Sequence, residues 1–293
     1  MTTLSQETLE LPQTLAPPVR RTVLRPRHGW QALDVARLLR YRDLLWFLAL
    51  RDVQVRYKQT VLGILWAIIQ PVVTMVVLSA FFGTLIGSTV TGGTARVPYP
   101  IFLYAGLLPW TFFASAVTAS SQSLLSNSNL IRKVYFPRLI VPIAAVGAPL
   151  VDYAVAFVVL LGMMVWFGVA PTWRLLLLPA LVATTVTAAL GVGILLAALT
   201  TAYRDFRFVV TFLIQIWFFV TPVIYPPSIV PARLRPLLAL NPMSGTIEAF
   251  RAAVLGTEIP VASWATAAAA AMACLFLGLA YFQRTERRIA DVI

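Results

Sequence analysis

Few side chains in this sequence have the types and spacing that catalysis or metal binding requires. The chain has one histidine, His28, and one cysteine, Cys274, so neither an internal disulfide nor a metal site is expected. Glu248 and Glu258 could form a carboxylate pair, but they lie ten residues apart with no histidine nearby. A Gly-rich phosphate-binding loop followed by lysine is also missing, which argues against ATP binding by that route. We therefore expect no catalytic residue, no metal and no cofactor on this chain.

One acidic residue, Asp152, lies inside a long apolar segment. An ionisable side chain within a membrane is a functional candidate by default. No Lys or Arg falls within any of the apolar segments to pair with it. Two interpretations stay open: a role in proton coupling, or a structural role in which Asp152 bonds to a neighbouring polar group or faces a polar cavity.

The composition indicates an all-α integral membrane protein. Of the 293 residues, 59% are hydrophobic and only 12% are charged, whereas about a quarter of the residues in a soluble protein are charged. The net charge of +12 is concentrated at one set of segment ends. That distribution follows the positive-inside rule and does not indicate a nucleic-acid partner.

Apolar segments of sufficient length predict six transmembrane helices, since about 20 residues cross the hydrocarbon core. Their expected bounds are 61–88, 100–125, 139–169, 175–200, 208–225 and 261–283. Together they make residues 59–293 a transmembrane domain.

The residues before the first span divide into two parts. Residues 1–32 contain several prolines and read as a flexible cytoplasmic tail. Residues 33–58 form a basic amphipathic pattern, which predicts a helix lying in the membrane interface. An amphipathic helix packed against other protein is the alternative.

Residues 226–260 contain two apolar pieces that are too short to span. They are separated by Asn241 and Pro242 and end at Gly256. Pieces of this length suit re-entrant or interfacial helices, so we expect two short re-entrant helices before the last span. A lid on the outer membrane surface is the alternative.

The distribution of basic residues predicts the orientation. With the N-terminus inside, 18 of the 23 Lys and Arg residues fall in cytoplasmic segments. Both termini are therefore expected in the cytoplasm. The polar and basic loop at 126–138 could be a docking helix for a soluble partner or a plain positively charged loop.

Four blocks of sequence, in order, resemble the permease subunits of bacterial polysaccharide ABC exporters. They are LRDVQVRYKQT from Leu50 with LGILWAIIQP from Leu62, NLIRKVYFPR from Asn129, YRDF from Tyr203 with TPVIY from Thr221, and the Asn241-Pro242 pair with Phe250 and Arg251. The resemblance extends over roughly residues 35–283.

The resemblance implies a homodimer that works with two ATP-binding cassette subunits, which bind ATP and Mg. The substrate class it implies is a polyprenyl-linked glycan, such as O-antigen, capsule or teichoic acid, exported across the bacterial inner membrane. It also assigns contact with the ATPase to the interface helix and the 126–138 loop. The residues to which it gives the coupling role are Asn129, Leu130, Ile131, Arg132 and Lys133.

A sugar polymer offers hydroxyls and apolar C–H faces, on which aromatic rings can stack. The candidate lining residues are Trp66, Phe112, Phe113, Trp217, Phe218, Phe219 and Tyr225; each could instead face lipid or the core. The basic side chains of Arg51, Arg56 and Lys58 could bind the carrier's pyrophosphate. They could equally bind anionic membrane lipids or the partner.

Two other functions remain open from the sequence. A drug or small-lipid ABC exporter would show the same scarcity of charge within the spans. A membrane enzyme that transfers sugars would need paired carboxylates or a metal cluster, for which Glu248 and Glu258 are poorly spaced.

Overall fold

A computed structural model describes residues 35–58, 63–90, 98–203 and 205–292, and over these residues the chain is helical without a β-strand. The predicted all-α membrane fold is therefore confirmed. The predicted tail at 1–32 lies outside the described residues. The helices are α1 (Val35–Arg40), α2 (Arg42–Lys58), α3 (Trp66–Val90), α4 (Tyr99–Ser126), α5 (Ser128–Lys133), α6 (Ile140–Ala144), α7 (Gly147–Trp166), α8 (Leu178–Ala202), α9 (Phe206–Val220), α10 (Arg235–Leu240), α11 (Pro242–Leu255) and α12 (Val261–Val292).

Five helical segments among the described residues are long and apolar enough to cross a membrane. They are Gly63–Leu85, Tyr99–Ser126, Ile140–Trp166, Trp173–Ala202 and Val261–Glu286. They coincide with the first, second, third, fourth and sixth predicted spans. A run of about 20 or more uncharged, apolar residues is stable in the hydrocarbon core of a membrane, so its sequence alone predicts the span.

The predicted span at 208–225 corresponds to the shorter helix α9, which has 15 residues. At about 1.5 Å per residue this helix is roughly 22 Å long, less than the hydrocarbon thickness of about 30 Å. The helix ends before Pro222, whose ring and missing N–H disfavour helix continuation. The count of six spans therefore remains a prediction.

The third span is interrupted near its start. Helix α6 ends at Ala144 and α7 begins at Gly147. Pro149 explains the interruption, because a proline ring clashes with the carbonyl four residues earlier, here that of Ala145. The start of α7 lies beside α2, since a Cβ at Gly147 would be 2.9 Å from the Ala49 Cβ.

Helix α4 lies at the centre of the bundle and packs against α3, α7, α8 and α11. In the most apolar stretch of α4, 78% of the residues are buried within the chain, whereas in that of the first span only 11% are buried. Helix α3 therefore presents most of its apolar surface outwards, as is expected of a helix that faces lipid or a partner chain.

The predicted outer segment, residues 226–260, contains two unequal helices, α10 and α11. Helix α10 is exposed, whereas nearly all of α11 is buried among α4, α8 and α12. The Asn241 side chain caps α11 by accepting a hydrogen bond from the Met243 N–H at 3.0 Å, and it donates to Thr221 Oγ1 at 2.8 Å. The burial of α11 fits the re-entrant prediction better than a surface lid, and re-entry itself remains a prediction.

Arg251 holds α11 to the rest of the bundle. Its guanidinium donates to the Phe102 carbonyl at 3.1 Å, to the Pro222 carbonyl at 2.8 Å and to the Val223 carbonyl. The guanidinium also lies 3.9 Å from the centre of the Phe102 ring, where cation–π attraction adds to the hydrogen bonds. Gly106 leaves the space for it, because a Cβ there would collide with the guanidinium. The sequence placed Arg251 among the outer basic residues, and the structure buries it at 5% exposure.

Helices α8 and α12 meet backbone to backbone at Gly191. A Cβ added to Gly191 would lie 2.6 Å from the Cys274 carbonyl carbon and 2.7 Å from the Leu275 Cα. Small residues permit such close approach between membrane helices, which gain stability there from van der Waals packing.

We expect Gly191→Val to lower the thermal unfolding midpoint in detergent, because the added side chain must separate α8 from α12. Overpacking of this kind costs about 1–3 kcal/mol. The matched control is Gly162→Val in α7, where nothing lies within 4 Å of the added Cβ. Equal midpoints for the two variants, measured by static light scattering during heating, would contradict the α8–α12 contact.

Candidate functional site

Among the described residues, helix α2 contacts the bundle mainly through its side facing α6 and α7. It packs against α6 and α7, with Leu48 fully buried in the contact. Trp46 and Phe47 are about two-thirds exposed. The predicted helix at 33–58 is divided at Tyr41 into α1 and α2, and its residues 33 and 34 lie outside the described residues. Its location in the membrane interface remains a prediction.

Asp152 is paired with two side chains of α2. Its Oδ2 lies 2.7 Å from Arg56 Nη2, and its Oδ1 accepts a hydrogen bond from the Tyr57 hydroxyl. Sequence reasoning missed this pair because it searched only the spans for a cation. Their position in the sequence could have indicated the pair, because Arg56 and Tyr57 lie at the end of a helix that directly precedes the first span.

The pairing changes the properties of the α2 side chains. Burial raises the pKa of Tyr57, and the hydrogen bond to Asp152 and the charge of that carboxylate raise it further. The Tyr57 hydroxyl is the donor in this contact. The charges of Arg56 and Asp152 offset each other within the chain, and Lys58 remains exposed.

A cavity of about 240 Å³ lies beside this pair, between α2, α3, α4 and α7. Its polar lining includes Gln70, Thr111 and Ser115 in addition to Arg56, Tyr57 and Asp152. Its aromatic lining is Trp66, Phe112 and Tyr153. The rings of Phe112 and Tyr153 meet edge to face at 5.5 Å. Two of the predicted aromatic residues, Trp66 and Phe112, are thus brought together at one site.

The other predicted aromatic residues lie elsewhere. Phe113 is fully buried and packs edge to face on Trp217 at 5.2 Å. Phe218 contacts Trp110 at 5.7 Å and Phe219 at 5.3 Å. The Tyr225 hydroxyl donates to the carbonyls of Phe219 and Val220. Within one chain these rings form a cluster separate from the cavity, and their part in lining a conduit remains a prediction.

The predicted coupling residues Asn129, Leu130, Ile131, Arg132 and Lys133 lie in the short helix α5. Arg132 and Lys133 are exposed in its last turn. The helix is joined to α2 through Asn127, at the α4–α5 junction, whose Oδ1 accepts a hydrogen bond from Arg51 Nη2 at 2.7 Å. The same Arg51 nitrogen pairs with Asp52 at 2.7 Å.

Asn127 was not among the residues predicted from the sequence. It also donates to the Ser123 carbonyl at 2.9 Å, which fixes its amide between the end of α4 and helix α2. Helix α2 therefore contacts the α4–α5 junction through Arg51 and α7 through Arg56 and Tyr57. Both contacts are polar, so each requires a specific orientation of α2.

Known proteins are similar to this chain over the regions that contain these helices. The family described as ABC-2 type transporter matches residues 43–255. The O-antigen export system permease protein RfbA of Myxococcus xanthus is 29% identical over 262 residues, which are 88% of this chain and 98% of that protein. RfbA of Klebsiella pneumoniae is 27% identical over 257 residues, 86% of this chain and 95% of that protein.

A third relative is the polysialic acid transport protein KpsM of Escherichia coli. It is 25% identical over 254 residues, 82% of this chain and 92% of that protein. These relatives confirm the resemblance inferred from the four sequence blocks. The family match runs from the start of α2 to the end of α11 and covers most of the chain, so the chain belongs to the ABC-2 type transporter family and is a multi-pass membrane permease.

Proposed function

We propose that the chain is the permease of an ABC exporter that moves a lipid-linked polysaccharide out across the bacterial inner membrane. In this proposal two copies form the permease, both termini are cytoplasmic, and two ATP-binding cassette subunits supply the energy from ATP and Mg. One observation carries it: the relatives named for O-antigen export align with this chain over nearly their full length.

The contacts of α5 support a route for coupling. Its exposed Arg132 and Lys133 offer a basic surface to the ATP-binding subunit. A displacement of α5 would reach α2 through Asn127 and Arg51. Helix α2 would pass it to α7 through the pairing of Arg56 with Asp152.

The direct test is reconstitution. The permease and its ATP-binding subunit are placed in vesicles that carry lipid-linked O-antigen on the outer, cytoplasm-equivalent face. ATP should drive the glycan into the lumen, where an added glycosidase no longer reaches it. Unchanged glycan accessibility with ATP would reject the proposal, as would transfer in the absence of the ATP-binding subunit.

We expect the double variant Arg132→Glu, Lys133→Glu to keep its insertion in the membrane and to lose most export, because a reversed charge on α5 weakens docking. The measurements are surface glycan in cells and the ratio of ATP hydrolysed to glycan moved in vesicles. The matched control is Arg233→Glu, Arg235→Glu, a second pair of exposed basic residues on the predicted outer side. Parental export in the α5 variant would remove these residues from the coupling surface.

We expect Asp152→Asn and Arg56→Gln each to lower the thermal unfolding midpoint, since each leaves a partner without its counter-charge. The double variant should lose less than the sum, with an interaction energy in the range of about 0.5–3 kcal/mol. The matched control is the exposed pair of Arg42 and Asp43, 3.7 Å apart, for which an energy near zero is expected. Additive losses for Arg56 and Asp152 would show that the pair does not hold α2.

A further inference from the structure

The cavity beside Asp152 has the size of a site for one small ring. It encloses about 240 Å³, below the roughly 300–1,000 Å³ of pockets for drug-sized ligands. We propose that it binds a single uncharged sugar ring of the exported glycan. This proposal rests on the proposed function and specifies the chemical class of its substrate.

The walls of the cavity combine apolar faces with hydrogen-bonding groups. The rings of Trp66, Phe112 and Tyr153 offer surfaces for the C–H faces of a pyranose. Gln70 can donate and accept, and the Ser115 hydroxyl can do both as well. A few polar groups placed among aromatic side chains fix the orientation of a ligand in this way.

The charges at the cavity select against an acidic ligand. Arg56 is the cation in the lining, and its guanidinium already pairs with Asp152 at 2.7 Å. A carboxylate or phosphate entering here would place a second anion beside the Asp152 carboxylate, whose charge already balances that of Arg56. A hydroxyl group, in contrast, can donate to the free lone pairs of Asp152 without breaking the pair.

The lining residues differ in exposure: those at the inner end of the cavity are buried, and those at its entrance are exposed. Phe112 and Tyr153 are buried at 3% and 9% exposure, whereas Trp66 is 53% exposed. Gln70 and Arg56 are also exposed. A ring can therefore enter past α2 and α3 and stop against Phe112 and Tyr153.

The test uses the full permease with its ATP-binding subunit in lipid nanodiscs. Binding is measured by saturation-transfer NMR with methyl β-D-glucopyranoside and methyl β-D-glucuronopyranoside, which differ only in the carboxylate. We expect the neutral glycoside to bind and the acidic one to bind at least about tenfold more weakly, as for a like-charge contact of about 1.4 kcal/mol.

Two variants identify the site. Trp66→Ala and Gln70→Leu should each weaken binding of the neutral glycoside about tenfold, the loss of one stacking or hydrogen-bonding contact. Trp66→Phe should retain most of the binding. The matched controls are Trp173→Ala and Gln54→Leu, which change exposed residues outside the cavity lining and should bind as the parent does.

Three results would overturn the inference: no binding of the neutral glycoside, equal binding of the two glycosides, or parental binding in both Trp66→Ala and Gln70→Leu. The export assay, run on the same purified complexes after reconstitution in vesicles, separates this inference from the proposed function. Export without sugar binding rejects the cavity and leaves the exporter standing. Sugar binding at Trp66 without export of any glycan rejects the exporter.

Discussion

A charged side chain inside a membrane protein must find a partner, because neither hydrocarbon nor packed side chains solvate it. Asp152 meets this requirement through Arg56 and Tyr57, and the attachment of α2 to α7 follows from it. Arg251 meets the same requirement with three backbone carbonyls, and the burial of α11 follows. The two charges thus add specific polar contacts where α2 and α11 meet the bundle, beside the apolar burial of Leu48 and of most of α11.

The sequence predicted the parts of the fold that depend on long apolar runs. Five spans appear where expected, since the preference of 20 or more apolar residues for lipid outweighs local effects. The interruption before α7 and the shortness of α9 depend on single prolines, Pro149 and Pro222, whose effect on a helix also depends on its neighbours. The contact of Gly191 with Cys274 and Leu275 joins residues that lie far apart in sequence, and hydropathy carries no information about such pairs.

The candidate site was only partly predictable. The resemblance to exporters located α5, and the chemistry of sugars singled out Trp66 and Phe112, which share the cavity. The pairing of Arg56 with Asp152 was missed because its two residues belong to different kinds of segment, one basic and interfacial, the other apolar. Asn127 looked like one polar loop residue among several, and its hydrogen bond to Arg51 arises only from tertiary structure.

In the proposed coupling route α2 and α7 move as one body, held by the pairing at Asp152. Ala49 and Gly147 offer a direct measurement, because a Cβ at Gly147 would lie 2.9 Å from the Ala49 Cβ. A small separation of α2 from α7 brings the two Cβ atoms to the roughly 3.5–4.5 Å of a disulfide. A disulfide between Ala49→Cys and Gly147→Cys, formed in a Cys274→Ala background, fixes α2 to α7. ATP-driven export in vesicles should continue with the disulfide closed. Export that stops on oxidation and returns on reduction would contradict the claim.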